Sequence, residues 1–284
     1  TIRNRTFRFP VMYSPPSPIF DLFPQHPALI GMIHTGPLPG TAVRGPKVEA
    51  LVATAVAEAR AYAEAGFDGL IVENMHDTPY LRRNVGPEIV AAMTAIVRAV
   101  TQVVQFPVGV QILAGADKAA LATALAAGAS FIRAEGFVFG HVADEGWMDS
   151  DAGDLLRYRR AIGAEHIRVF CDIKKKHSAH ATTADVSIAD TAKGAEFFRA
   201  DGVIVTGTTT AMPVDLQELA AVRTAVKIPV LVGSGITPEM ISPLAKHADG
   251  LIVGSFAKQD GHWANALDPE RLGQLVEAVK TCRR

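Results

Sequence analysis

Eight short apolar runs, separated by longer stretches with a helical repeat, set the pattern of this chain. The runs are Ala28–His34, Phe67–Glu73, Phe106–Leu113, Ala129–Glu135, His166–Lys174, Asp201–Thr206, Ile228–Gly233 and Asp249–Gly254. They are rich in β-branched residues and apolar on both faces, as parallel strands covered on both sides must be. Between the runs, Val48–Ala65 places Leu51, Val52, Ala55, Val56, Ala59, Tyr62 and Ala63 on one stripe, which predicts an amphipathic helix. Pro87–Val104, with Pro87 suited to a first helical turn, and Pro213–Val226 read the same way.

One phrase recurs at the joints: Ala65-Gly-Phe-Asp-Gly-Leu-Ile-Val72, Ala200-Asp-Gly-Val-Ile-Val205 and Ala248-Asp-Gly-Leu-Ile-Val253. Each is a helix C-cap followed by a tight turn into a strand, the joint of a repeated unit. A closed (β/α)8 barrel and an open doubly wound sheet share this alternation, and eight units in 284 residues match the barrel. The prediction is a single α/β domain, a (β/α)8 TIM barrel over residues 28–284, behind a proline-rich N-terminal arm over residues 1–27. The arm carries Arg3, Arg5 and Arg8 with no acid before Asp21, and six prolines. It lacks the continuous apolar core of a secretory signal. It reads as an extended segment with a turn at Pro18–Phe23 that covers the barrel's N-terminal end, with an organelle-targeting arm as the alternative.

Composition narrows the partners. Nearly half the residues are apolar, enough for one large core, and the formal net charge is −1 with both signs scattered. That balance gives no electrostatic case for nucleic acid or an anionic membrane, and no apolar run is long enough to span a bilayer. Cys171 and Cys282 form neither a disulfide framework nor a metal-ligand motif, so a reducing cytoplasm is expected.

In a barrel, chemistry gathers at the C-terminal ends of the strands. There the chain offers His34, then Glu73-Asn74-Met75-His76-Asp77, Gln111, Arg133 with Glu135, Asp172-Ile-Lys174-Lys-Lys176-His177 and Thr206-Gly207-Thr208-Thr-Thr210. Strict alternation turns Ile71 and Glu73, Gly109 and Gln111, Arg133 and Glu135, and Arg168, Phe170, Asp172 and Lys174 toward the barrel axis. Asp172 and Lys174 ringed by Glu73, Arg133 and Glu135 would shift one another's protonation, as acid–base chemistry requires; the structural alternative is a charge network that only fixes strand ends. His141, His166, His247 and His262 read as surface or capping residues.

The last two runs end in Gly233-Ser234-Gly235 and Gly254-Ser255. Glycine lets backbone amides approach a phosphate, serine adds a hydroxyl, and the segments that follow are expected to open helices whose N-termini favour an anion. Loops after strands seven and eight commonly form such a cup. With Thr206 and Gly207 at the neighbouring strand end, these residues are the expected phosphate site; the bland reading is glycines that only close turns.

Several linked motifs resemble the BtpA/SgcQ family. They are Ile30-Gly-Met-Ile-His-Thr-Gly-Pro-Leu-Pro-Gly40, Val72-Glu-Asn-Met-His-Asp-Thr-Pro-Tyr80, Asn84-Val-Gly-Pro-Glu88, Arg157-Tyr-Arg-Arg160, Cys171-Asp-Ile-Lys-Lys-Lys-His177, Gly233-Ser-Gly235 and Ile252-Val-Gly-Ser-Phe-Ala-Lys258. The resemblance runs from about Pro18 to Ala278. It implies a barrel of the ribulose-phosphate-binding kind and leaves the reaction open; the family name derives from a proposed role in photosystem I biogenesis. The chain departs from the family pattern at Met240, where an Asn is expected, at Thr210 or Ala211, where a second Gly is expected, and at Cys171, commonly a small residue.

The expected function is an enzyme that isomerises, epimerises or cleaves a small phosphorylated metabolite, most simply a sugar phosphate. Asp172 and Glu73 would transfer protons, Lys174 would stabilise an enolate, His177 would be a second acid or base, and Glu135 completes the catalytic set. His34, Asn74, Asp77, Gln111 and Arg133 would line the pocket. Schiff-base chemistry at Lys174 or Lys176 is a further route. Phosphoribosylanthranilate isomerase chemistry fits less well, since its base and acid positions hold His34 and Thr206. A divalent metal, Mg2+ or Mn2+, is the candidate cofactor, with Glu73, His76, Asp77, Glu135, Asp172 and His177 as ligand types. The expected partners are a phosphorylated small molecule and further copies of the chain. The rival reading is a non-catalytic assembly factor acting through its surface.

Overall fold

The computed structural model describes residues 19–207 and 213–283. Arg3, Arg5, Arg8 and the prolines up to Pro18 lie outside the described residues, as do Thr208, Thr209, Thr210 and Ala211.

Eight parallel strands close into a barrel: β1 (Ala28–His34), β2 (Gly69–Glu73), β3 (Val108–Gln111), β4 (Phe131–Ala134), β5 (Arg168–Ile173), β6 (Gly202–Val205), β7 (Val230–Val232) and β8 (Gly250–Val253). Each pairs with its neighbour in chain order, and β8 returns to β1 with Ala28 opposite Gly250. The helices that follow are α1 (Val48–Ala65), α2 (Pro87–Thr101), α3 (Asp117–Ala127), α4 (Ala152–Ala161), α5 (Ile188–Phe197), α6 (Leu216–Ala225), α7 (Pro238–Leu244) and α8 (Pro269–Lys280). The helix expected from Pro213 begins only at Leu216, because Asp215 caps it by accepting from the amides of Gln217 and Glu218.

The recurring Asp-Gly phrase has a structural task at the foot of the barrel. Asp68, Asp201 and Asp249 each accept a hydrogen bond from a backbone amide of the preceding strand in the sheet, at Leu29, Val169 and Val230. Each is also paired with an arginine: Arg283, Arg159 and Arg223 respectively. The glycine that follows clears the barrel interior. A side chain at Gly69 would lie 2.6 Å from Phe23, and one at Gly202 would lie 2.7 Å from Phe170.

The interior is a separate small core of Phe23, Ile71, Phe131, Phe170, Ile204, Leu231 and Ile252, while the alternate residues pack outward on the helices. A short helix, Ile19–Leu22, delivers the fully buried Phe23 edge-on to Phe131, centroids 5.8 Å apart. The described end of the arm therefore plugs the N-terminal end of the barrel. Burying such a ring contributes about 1.5–3 kcal/mol. Arg168 lies opposite the inward-facing Phe131, with its guanidinium 3.7 Å from Asp201 at the foot of β6.

At the opposite end, a hairpin of His141–Ala143 and Gly146–Met148, joined by Ser178–Ala179, forms a three-stranded antiparallel sheet over the mouth. Among the described residues no helix is long and apolar enough to cross a membrane.

Candidate active site

Strand register builds the base of the site. His34 lies opposite Glu73 and Glu73 opposite Gln111, so three polar side chains stand side by side at the ends of β1, β2 and β3. They line a cavity of about 460 Å³ at the barrel mouth, together with Arg133, Glu135 and Asp172. Arg133 clasps Asp172 through Nε, 3.1 Å from Oδ1, and through Nη2, 3.1 Å from Oδ2. Lys175 Nζ donates to Glu135 Oε2 at 3.2 Å, and Gln111 Nε2 donates to the other oxygen at 3.3 Å. The inward alternation expected for Glu73, Gln111, Arg133 and Asp172 is thus what the barrel displays.

Charge and burial divide these groups. Burial pushes the carboxyl groups of Glu73 and Asp172 above their ordinary range, against the pull of Arg133. Burial also holds His34 neutral, with its pKa lowered to about 3. His34 Nδ1 lies 3.1 Å from the carbonyl oxygen of Trp263, which can only accept, so Nδ1 carries the proton. Nε2 is then a lone pair facing Glu73 Oε2 at 3.3 Å. With the ring neutral this contact is not an ion pair, and it becomes a hydrogen bond whenever the Glu73 carboxyl carries a proton. The upward shift of Glu73 favours that state.

Beside these groups, at the ends of β7 and β8, lies the glycine-rich cup. Gly233, Ser234 and Gly235 follow β7, Gly254 and Ser255 follow β8, and all five line the cavity. Gly235 sits at φ 64°, a left-handed conformation that glycine adopts without strain. The nearest atoms to a Cβ at Gly254 would be those of His34 and Met32, at 3.6–3.8 Å, ordinary van der Waals contact at a residue that lines the cavity. Gly233 has a second duty, because a Cβ there would fall 2.9 Å from Ile204 and 3.3 Å from the Arg133 guanidinium. The helices expected next are short: Ser255–Ala257 is a single 3₁₀ turn and α7 begins three residues beyond Gly235. The cup therefore rests on backbone and hydroxyl groups more than on helix dipoles.

The profile of the BtpA family matches residues 25–281. The chain belongs to the BtpA family. An uncharacterised mitochondrial protein of Caenorhabditis elegans is 47% identical over 268 residues, covering 92% of this chain and 95% of that protein. The photosystem I biogenesis protein BtpA of Synechocystis is 36% identical over 262 residues, covering 92% and 91%. Among solved structures, 3-hexulose-6-phosphate synthase superposes with a TM-score of 0.55 at 18% identity, covering 88% of this chain and 99% of that one, a likeness of fold.

The family motifs place their residues unevenly. Asn74 and Asp77 serve the loops: Asn74 accepts from the Leu113 amide and donates to Asp77, which accepts from the Leu38 amide. Neither lines the cavity. β5 stops at Ile173 and Lys174 turns to φ 43°, so alternation ends there. Lys174 Nζ donates to the Thr183 carbonyl, away from the cavity lining. Lys175 and Lys176 enter the cavity in its place, and the exposed His177 stands at its rim. Thr206 and Gly207 lie outside the lining; Thr206 Oγ1 accepts from the Lys176 amide at 3.1 Å and so fixes that turn.

Met240 sits on α7 against the outer core and Cys171 faces the helix layer, so neither family departure reaches the cavity. Lys258 ends the last motif and ties the segment after β8 to α1 through Glu58, at 2.7 Å. Three lining residues gave no pattern in the sequence, Asp144 and Glu145 at the hairpin tip and Trp263 beyond β8, whereas Tyr80 in the lining closes the second family motif. His141, read as a surface or capping residue, is buried beside His180, with its pKa lowered to about 4 by that burial. Among the described residues no three His, Cys, Asp or Glu side chains are placed to share a metal ion. Arg133 and Lys175 neutralise Asp172 and Glu135 instead.

Proposed function

We propose that this BtpA-family barrel is an enzyme acting on a small phosphorylated metabolite, by isomerisation, epimerisation or carbon–carbon cleavage. One observation carries the reading: a single cavity is lined both by the Gly233–Gly235 and Gly254–Ser255 cup and by the His34–Glu73, Arg133–Asp172 and Lys175–Glu135 pairs, with Gly254 next to His34 and Gly233 next to Arg133. A phosphate held by the cup would present its adjoining carbons to those groups. Glu73, with His34 behind it, is suited to carry a proton between substrate positions. Asp172, clasped by Arg133, is suited to hold the guanidinium where negative charge develops. A metal has no assigned place in this reading. The two cysteines, Cys171 buried and neither one disulfide-bonded, favour a reducing compartment, the cytoplasm or the mitochondrion named for the worm relative.

The test is calorimetric titration and thermal denaturation with inorganic phosphate and a panel of sugar phosphates. A true ligand at a hundredfold its Kd adds about 2.7 kcal/mol of stability. Gly254→Val should abolish that gain while the protein still folds, and ligand binding unchanged in that variant would refute the cup. A second reading is a non-catalytic assembly role, for which exposed Phe197 (82%) and Phe198 (50%) at the end of α5 offer a contact surface. The same surface suits association between copies of the chain. Retention of the cellular role by Asp172→Ala and Glu73→Ala would favour that reading.

A further inference from the structure

Three consecutive lysines leave β5, and the fold gives each a different environment. Lys174 donates to the Thr183 carbonyl outside the cavity, and Lys175 pairs with Glu135. Lys176 lines the cavity, and among the described residues its ammonium makes no hydrogen bond or ion pair. Its backbone is fixed, since its amide donates to Thr206 Oγ1 at 3.1 Å, between the ends of β5 and β6. An amine placed in a ligand cavity, held by its backbone and without a hydrogen-bonding partner among the described residues, is in position to meet a ligand.

We propose that Lys176 is a catalytic amine that condenses with the carbonyl group of a phosphorylated aldehyde or ketone. This rests on the reading of the cavity as a phosphorylated-metabolite site and names the substrate class. The neighbours suit the chemistry. Burial and the Arg133 guanidinium favour the uncharged amine, while the carboxyl groups of Glu73, Asp172 and Glu135 lie within electrostatic range.

The nitrogen lone pair adds to the carbonyl carbon, the C–N bond forms, and one of the two nitrogen protons passes to the carbonyl oxygen to make a hydroxyl. That hydroxyl leaves as water with a proton from Glu73, the C–O bond breaks as the nitrogen lone pair forms the C=N bond, and the remaining nitrogen proton returns to Glu73, so amine and carbonyl become imine and water. When protonated, the imine withdraws electrons from the adjoining carbon, which can then release a proton or a carbon fragment. All three reaction types of the proposed function are reached this way, without an oxidant or a metal.

The experiment is borohydride trapping of the full chain with dihydroxyacetone phosphate, glyceraldehyde phosphate and ribulose phosphate, followed by peptide mass mapping. Thermal denaturation with inorganic phosphate is measured in parallel. The expected result is one reduced adduct on Lys176, lost in Lys176→Arg and retained in Lys174→Arg. Its yield should fall at least tenfold when unphosphorylated dihydroxyacetone replaces the ester. Phosphate stabilisation without any adduct overturns the imine and leaves the phosphate site standing. Absence of both removes both, and adducts scattered over other lysines overturn the assignment to Lys176.

Discussion

Arg133 is the positive centre of the cavity floor, and its removal should cost more than removal of its partner. Arg133 and Asp172 are 5% and 6% exposed and share two short contacts of 3.1 Å, flanked by a third at 3.3 Å. Breaking a buried pair by deleting one member typically costs about 3–5 kcal/mol, because the other charge is stranded. Arg133→Met leaves Asp172 buried with Glu73 and Glu135 in range, so the full penalty of about 3–5 kcal/mol applies. Asp172→Asn leaves Arg133 still attracted to Glu73 and Glu135, which should hold the cost to roughly 1–3 kcal/mol, near that of lost charged hydrogen bonds. At roughly 2–4 °C per kcal/mol, the two variants separate in thermal denaturation.

Acid should then close the gap. The folded-state values of Glu73 and Asp172 already lie above their ordinary range, and loss of Arg133 raises them further. A raised carboxyl contributes stability present below its unfolded pKa and lost as pH rises through its folded pKa. Arg133→Met should therefore recover part of its deficit on acidification and Asp172→Asn should not. Equal costs with parallel pH profiles would refute this account of the floor.

Three further outcomes are expected. His34, depressed to about 3 from 6.5, contributes stability present above 6.5 and lost as pH falls toward 3, so His34→Gln should show a shallower acid loss across that window in chemical denaturation. Asp151, raised by burial to about 6, contributes in the opposite sense: stability present below 3.8 and lost as pH rises through about 6. Asp151→Asn should therefore gain on the wild type as pH rises through that range. Gly69→Ala forces a Cβ within 2.6 Å of Phe23 and should cost about 1–3 kcal/mol by differential scanning calorimetry, whereas Gly254→Ala, with no contact under 3.6 Å, should leave stability nearly unchanged and weaken phosphate binding by titration.

Much of this was legible along the chain. Eight apolar runs fell on eight barrel strands, and the helix predicted at Val48–Ala65 has those bounds. Both are set by local periodicity, since parallel strands buried on two faces and helices buried on one leave distinct patterns. The Asp-Gly repeat was legible as a joint, and alternation placed Glu73, Gln111, Arg133 and Asp172 at the mouth because they lie within regular strands or at their ends. Alternation failed one residue past β5. Lys174 leaves the extended conformation, and nothing in a run of three lysines says which one turns inward.

Tertiary structure alone decided the rest. Asn74 and Asp77 became loop ties because the amides of Leu113 and Leu38 are brought to them from 39 residues away in each case. The proton on His34 is settled by a carbonyl 229 positions later, and Asp144, Glu145 and Trp263 reach the cavity from a hairpin and a turn that carry no periodic signal. Sequence determines what each short segment can form by itself. Which side chains share a cavity, and which are spent on holding loops, depends on contacts between distant segments that only chain closure brings within hydrogen-bonding distance.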